Sequence, residues 1–337
     1  MSVFTVGIDV SLQTLAVGIK APGSAPTFLG SFPNDPAHFE QLASALHEQA
    51  QQHQVTVIHL VLEPTGGYEQ LLAHFALRQG WRVSLPNPKH VRDWAKGVGI
   101  RAKTDRQDAL KLTRYGAEQE LPSWAPLPEN VAALNTLLER RNDLVGMLRQ
   151  EENRRHALQA REEYHGPAAQ SLEKSIAWLQ QALAEIDAAT REHIDQHPEL
   201  QEQLRRLRQV PGVGERNAPF LLVLLFRWGA LTDYQGSSKG LTAYVGLDPQ
   251  PFESGSSVRK PSTTSRQGDP TLRSLLFMSA LGGIRGDNAL RAFYQRLVEG
   301  GKRKKVALVA TARKILIWSW AVFRDQTSFD PKLAGAA

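Results

Sequence analysis

Val3-Phe-Thr-Val-Gly-Ile-Asp-Val10 is an apolar run broken by a single carboxylate, Asp9, and its reading decides the fold. Its β-branched and aromatic residues predict a strand. Two further strand-like runs, Leu15 to Lys20 and Thr27 to Ser31, follow at once, separated by short turns such as Ala21-Pro-Gly-Ser24. The three predict an antiparallel meander. A helical stretch from Pro36 to Gln52 comes next, then the apolar strand Val55 to Leu62, a helix over Glu69 to Gln79 and a short strand over Trp81 to Leu85. Helices over Pro88 to Lys96 and Thr104 to Gln119 complete the segment. This alternation is the signature of an α/β layer domain.

Three strands, helix, strand, helix, strand, helix is the order of a ribonuclease-H-like fold. From Pro128 to Leu207 the composition turns to Leu, Ala, Glu, Gln and Arg, which predicts long helices. Leu172, Ile176, Leu179, Leu183 and Ile186 form a heptad seam. An earlier set, Leu134, Leu137, Leu144 and Leu148, is interrupted by Arg141, and Gly166-Pro167 separates the two sets. A helical hairpin follows, whose seam serves either its own partner helix or another subunit. Val210-Pro-Gly-Val-Gly214 then joins two helical stretches. Gly212 and Gly214 allow a tight turn whose N–H groups can approach a phosphate, as in helix-hairpin-helix motifs, or a plain helix-helix turn. Beyond a Gly/Ser-rich loop over Glu253 to Gly268, helices are predicted over Pro270 to Gly283, Asn288 to Glu299 and Lys302 to Phe323. The fold class is therefore α/β plus α. Its parts are an RNase-H/RuvC-like domain over 1–125, a helical hairpin connector over 126–200, a mainly helical domain over 201–327 and a disordered tail over 328–337.

The 337 residues include no cysteine, which excludes a disulfide scaffold, a thiolate zinc site and a thiol nucleophile. The longest apolar run, Phe220 to Phe226, is far below the ~20 residues of a membrane span. With no signal-peptide pattern at Met1-Ser-Val-Phe, a cytosolic location is expected. Residues 1–201 hold 19 basic and 24 acidic side chains, a net of −5, and residues 202–337 hold 21 and 10, a net of +11. That asymmetry reads as a polyanion-binding surface on the second segment, against a merely solvated basic one. Lys302-Arg303-Lys304-Lys305 lies at the start of the last predicted helix, where its charge opposes the helix dipole.

Asp9 sits where a charge is costly unless paired or metal-bound. Glu63 ends the second apolar strand just before Pro64-Thr-Gly-Gly-Tyr68 turns the chain. Asp105 and Asp108 are spaced i, i+3 on one helix face, and Thr104 with Gln107 reads as a capping box that sets both in the first turn. Four oxygen donors suit a hard cation such as Mg²⁺ or Mn²⁺, and two such ions could clamp a phosphodiester displacement. Each acid alone is also an ordinary cap or strand-end charge.

Gly7-Ile-Asp9, Glu63-Pro-Thr-Gly-Gly-Tyr68 and Lys103-Thr-Asp-Arg-Gln-Asp108 together resemble the DEDD motifs of the bridge-RNA-guided insertion-sequence transposases, relatives of the Piv-type DNA invertases. Val210-Pro-Gly-Val-Gly214, Leu241-Thr-Ala-Tyr-Val-Gly-Leu247 and Glu253-Ser-Gly-Ser-Ser-Val-Arg259 resemble the same family's second catalytic domain. The resemblance implies a recombinase in which Asp9, Glu63, Asp105 and Asp108 bind metal and Ser254 attacks DNA to form a phosphoserine. It also implies donor and target double-stranded DNA, a noncoding guide RNA that reads sequence by pairing, and a homodimer or tetramer. Phe252 and Arg266 depart from the residues frequent in the family, Tyr and Lys. By residue type, Ser256 and Ser257 compete with Ser254, and Arg259, Lys260, Arg266 and Arg273 are candidates to stabilise charge on phosphorus.

Three rivals remain. A RuvC-like junction nuclease would need the acids but not Ser254. A sugar-kinase or actin-like ATPase shares the Gly-Ile-Asp start but lacks a second glycine-rich phosphate loop here. A DNA-binding protein with a degenerate nuclease domain would not require all four acids.

Overall fold

A computed structural model describes residues 2–100, 104–254 and 258–331, and the side chains of residues 251–262 lie outside the description. The expectations on the side chains of Ser254, Arg259 and Lys260, on Ser256 and Ser257, and on the tail from residue 332 fall outside the described residues. The chain divides into a first unit over Met1–Pro126 with Ala230–Thr232 and a second over Leu127–Gly229 and Asp233–Ala337.

The first unit is built on five strands, β1 (Val3–Val10), β2 (Thr14–Lys20), β3 (Thr27–Pro33), β4 (Val57–Leu62) and β5 (Arg82–Ser84). Their order across the sheet is β3-β2-β1-β4-β5. The first three are antiparallel, as the short turns dictate, and β4 and β5 run parallel to β1. This mixed sheet is consistent with a RuvC-like domain. Helices α1 (Phe39–Gln52) and α2 (Gln70–Arg78) supply the crossovers. Phe4, Val6 and Ile8 of β1 and Ile58, Leu60 and Leu62 of β4 pack with Leu42, Leu46, Leu72 and Phe75 of these helices. Because strand side chains alternate in direction, Thr5, Gly7 and Asp9 face the other way, with His59, Val61 and Glu63.

That second face is covered by α4 (Asp105–Glu118), which follows α3 (Pro88–Gly97). Two glycines let it approach the strands. A Cβ on Gly7 would lie 2.1 Å from the Thr113 nitrogen, and one on Gly18, its cross-strand partner, 2.5 Å from the Thr113 hydroxyl. The Gly7 N–H instead donates to Thr113 Oγ1 at 3.1 Å. Val61, Leu112 and Tyr115 fill the rest of this smaller core with Val91 and Leu121.

The second unit contains α5 (Glu129–Ala160) and α6 (Gly166–Asp195), a helical hairpin broken where Gly166-Pro167 predicts. Leu172, Ile176 and Leu179 are buried within the chain, as are Leu134, Leu138 and Leu144 of α5. Three of the five seam residues are thus covered within the chain, while Leu183 and Ile186 stay half-buried. Arg141, which breaks the first heptad set, donates to Asp187 of α6 at 2.6 Å and so joins the two helices. After them come α7 (Pro198–Leu207), α8 (Ala218–Leu231) and α9 (Ser238–Val245). A two-stranded ribbon follows, β6 (Pro249–Ser254) with β7 (Val258–Thr264), where the sequence reading expects a flexible Gly/Ser loop. The ladder pairs Ser254 with Val258, so backbone pairing overrides the weak strand propensity of the stretch.

The chain then forms α10 (Pro270–Gly283), α11 (Ala289–Glu299) and α12 (Lys304–Arg324). Helix α12 is long and apolar enough by composition to cross a membrane, but 67% of its apolar window is buried inside the fold. It packs as a core helix against α7, α9, α10 and α11. Its Lys314 lies over the rings of Phe293 and Trp318 at 5.5 Å each, which shelters the ammonium on π faces. The first turn begins at Lys304, with Arg303 as its N-cap, so only Lys304 and Lys305 of the basic run stand inside the helix.

Candidate active site

Strand and helix geometry bring the four predicted acids to one end of the α4-covered face. Asp9 and Glu63 leave the ends of two adjacent parallel strands on the same side of the sheet. Asp105 and Asp108 occupy the first turn of α4, whose N-cap Thr104 accepts the Gln107 N–H at 3.2 Å. The Thr104 half of the predicted capping box is present. The close seat of α4 on Gly7 and Gly18 then carries its N-terminal turn toward Asp9.

Electrostatics report the convergence. The Asp9 carboxyl is pushed up to about 6, first by its burial and then by the negative charges of Asp108, Asp105 and Glu63. Lys111 works in the opposite direction. Its Nζ lies 2.5 Å from Asp108 Oδ1, with both side chains largely shielded from water. Sequence reasoning missed Lys111, although its i, i+3 spacing from Asp108 puts the two on one helix face. It also missed Glu69, a carboxylate only 3% exposed. Glu69 Oε2 accepts the N–H groups of Thr65 at 2.9 Å and Gly67 at 3.2 Å, holding the turn that follows Glu63. Asn34 ties that turn to the β1–β2 turn by donating to the Tyr68 and Ser11 carbonyls.

The donor set fits a hard divalent cation in kind. Oxygen ligands alone are offered, and the charge among them is offset nearby only in part, by Lys111. Among the described residues, no three of these groups converge in coordinating positions around one point. Asp108 is turned to Lys111 instead.

The remaining candidates lie in the second unit and are of three kinds. Ser254 is the last residue of β6, at the tip of the ribbon. Lys302, Arg303, Lys304 and Lys305 are all exposed, as is Arg266, which holds a left-handed backbone at φ 55°. By contrast, Arg273 donates to the carbonyls of Val245 at 3.3 Å and of Gly268, closing the end of α9. At the predicted hairpin, a Cβ on Gly212 would meet the Ser279 carbonyl at 2.7 Å, so this glycine is required for packing on α10. The Gly214 N–H is already taken by Asn217 Oδ1 at 2.6 Å.

Two family profiles match the chain. One, described as a transposase of DEDD type, spans residues 6–160, and the other, the transposase IS116/IS110/IS902 family, spans residues 204–295. The pilin gene-inverting protein of Moraxella bovis is 33% identical over 334 residues, 99% of each chain, and that of Moraxella lacunata is equally similar over the same share. The insertion element IS110 uncharacterized 43.6 kDa protein of Streptomyces coelicolor is 32% identical over 38% of this chain and 30% of its own.

Proposed function

This chain belongs to the IS116/IS110/IS902 family of transposases, and from that premise we propose that it is an RNA-guided, site-specific DNA recombinase acting through a covalent phosphoserine. Membership makes it a DNA-recombining enzyme, and the similarity to two pilin gene-inverting proteins along its whole length supports rearrangement of DNA segments as the outcome. The observation that carries the reading is the raised proton affinity of Asp9, which its burial and the nearby charges of Asp108, Asp105 and Glu63 produce. A half-buried carboxylate set beside three further acids is costly unless a cation is shared among them.

In this reading Asp9, Glu63, Asp105 and Asp108 hold Mg²⁺ or Mn²⁺, which when bound stabilises charge on the phosphate oxygens. The Ser254 hydroxyl attacks phosphorus, the bond from phosphorus to one bridging oxygen breaks, and the serine proton ends on the released strand hydroxyl. Rejoining to a new strand reverses these bond changes, so the phosphodiester energy is retained. Ser254 is preferred over Ser256 and Ser257 by the resemblance to the family. Arg259, Lys260 and Arg266 are proposed to contact phosphate, whereas Arg273, Gly212 and Gly214 are engaged within the fold and keep a supporting role. The three modules, 1–125, 126–200 and 201–327, divide the work into metal binding, connection and covalent attack. A noncoding guide RNA, donor and target duplexes and a homo-oligomer in the bacterial cytosol complete the proposal.

Trapping the protein on nicked or phosphorothiolate DNA, followed by peptide mapping, tests it. The adduct is expected on the peptide bearing Glu253-Ser254-Gly255 and is expected to vanish in Ser254→Ala and Asp9→Asn. Strand cleavage without any adduct would make the enzyme a hydrolytic junction nuclease instead.

A further inference from the structure

The α4-covered face of the sheet has a second polar end. Strand register places Lys20 of β2, Thr5 of β1, His59 of β4 and Arg82 of β5 directly beside one another, in that order across four strands. Neighbours in register share a face, so the four side chains form one row on the side to which Asp9 and Glu63 also point. The row lies four residues from Asp9 along β1, about 13 Å at the usual strand rise. It borders the last turn of α4, where Gly116 and Ala117 bring no bulky side chain.

A cleft of about 400 Å³ opens there, lined by these four residues together with Gly116 and Gln119 among others, and no carboxylate of the described residues lines it. Thr5 and His59 are each only 3% exposed at its floor. The cations are oriented by the fold. Lys20 Nζ donates to the Ser24 carbonyl and Arg82 Nη2 to the Leu121 carbonyl. Ser84 Oγ donates to the Pro122 carbonyl at 2.7 Å and therefore accepts from His59 Nε2 at 2.9 Å. The Arg82 Nε–H is buried with no hydrogen-bond partner among the described residues. That donor is closed off from solvent, so what an anion in the cleft meets is the charge of Lys20 and Arg82, which no carboxylate among the described residues lining the cleft offsets.

We propose that this row is a second phosphate-binding site, which takes a backbone phosphate of the nucleic acid on which the acid end acts. Lys20 and Arg82 are its charged donors, Thr5 adds a hydroxyl, and His59 with Ser84 fixes the floor. The site stands apart from the four acids and does not depend on their binding metal.

The test uses the intact chain with inorganic phosphate and with a duplex oligonucleotide. Lys20→Gln and Arg82→Gln should each weaken inorganic phosphate in calorimetric titration by about tenfold, the loss expected of one charge-assisted hydrogen bond. Each should also lower the slope of log affinity for duplex against log salt by up to ~0.9. Lys89→Gln, which removes an exposed charge paired to Asp93, should do neither. Arg82 also holds the Leu121 carbonyl, so Lys20→Gln at the rim keeps the test valid if Arg82→Gln fails to fold. A lowered phosphate affinity with an unchanged duplex slope would support an anion site whose ligand is free phosphate rather than a backbone. Equal phosphate affinity in Lys20→Gln and the wild type would overturn the proposal.

Discussion

At Asp9 the balance of charge is read most directly. Its carboxyl titrates near 6 in the folded protein, against an ordinary value of 3.8, because burial and three neighbouring acids disfavour ionisation. Between those two pH values the folded state binds the proton more tightly than the unfolded chain, so ionisation removes stability as pH rises through the window. Without divalent cations, Asp9→Asn is therefore expected to melt higher than the wild type. The gap should be small near pH 4, widen up to pH 6 and stay level above it. A melting series in chelator measures this, and a gap that shrinks with rising pH would contradict the coupling. Recombination by the same variant should be abolished. Gly7 acts one step earlier, by admitting α4. Gly7→Ala forces a Cβ against the Thr113 backbone, and overpacking of this kind costs about 1–3 kcal/mol. Urea melts should show that loss, together with weaker Mn²⁺ binding as the α4 turn moves from Asp9.

Among the elements, α4 and the β6–β7 ribbon were legible to different degrees. Thr104 through Asp108 carry their own instruction, a local cap whose partners lie within four residues, and the structure contains that cap. The ribbon has no such instruction, because its strands pair through backbone groups that any sequence supplies. The start of α12 lies between these cases. Four exposed cations crowd a helix N-terminus, where the dipole opposes them, and the proposed return is phosphate binding. Replacing Lys302, Arg303, Lys304 and Lys305 together by Ala should leave the fold intact, since none is buried. It should lower the salt slope of duplex binding by up to ~0.9 for each phosphate no longer neutralised, as measured by filter binding over a salt series. An unchanged slope would reduce the run to a solvated helix start.

Residues 1–126 hold 11 basic and 11 acidic side chains, and the excess of positive charge is confined to residues 202–337, so the four acids and the basic segment reside in different units. That division lets the acids be altered without touching the basic segment. Protein purified at low salt should carry a discrete, structured RNA encoded beside its gene, and the Asp9→Asn protein should carry the same RNA in similar amount. Sequencing of the co-purified RNA decides the matter. Recovery of only unselected cellular RNA would remove the guide from the proposal while leaving the recombinase in place.

Sequence alone determined the strands of the first unit, the capped start of α4 and the helical hairpin, because each rests on periodicity or spacing within one stretch, whereas the four acids stand together only through the order of elements and the family resemblance. Only the tertiary structure decided what those pieces meet. Leu172, Ile176 and Leu179 of the heptad seam are covered within the chain, Arg273 and Gly214 are engaged inside the fold, Lys111 pairs with Asp108, and Glu69 holds the turn after Glu63. The row of Lys20, Thr5, His59 and Arg82 likewise exists only through register. Its members are scattered from residue 5 to residue 82, and pairing between strands, which no local pattern encodes, is what sets them side by side.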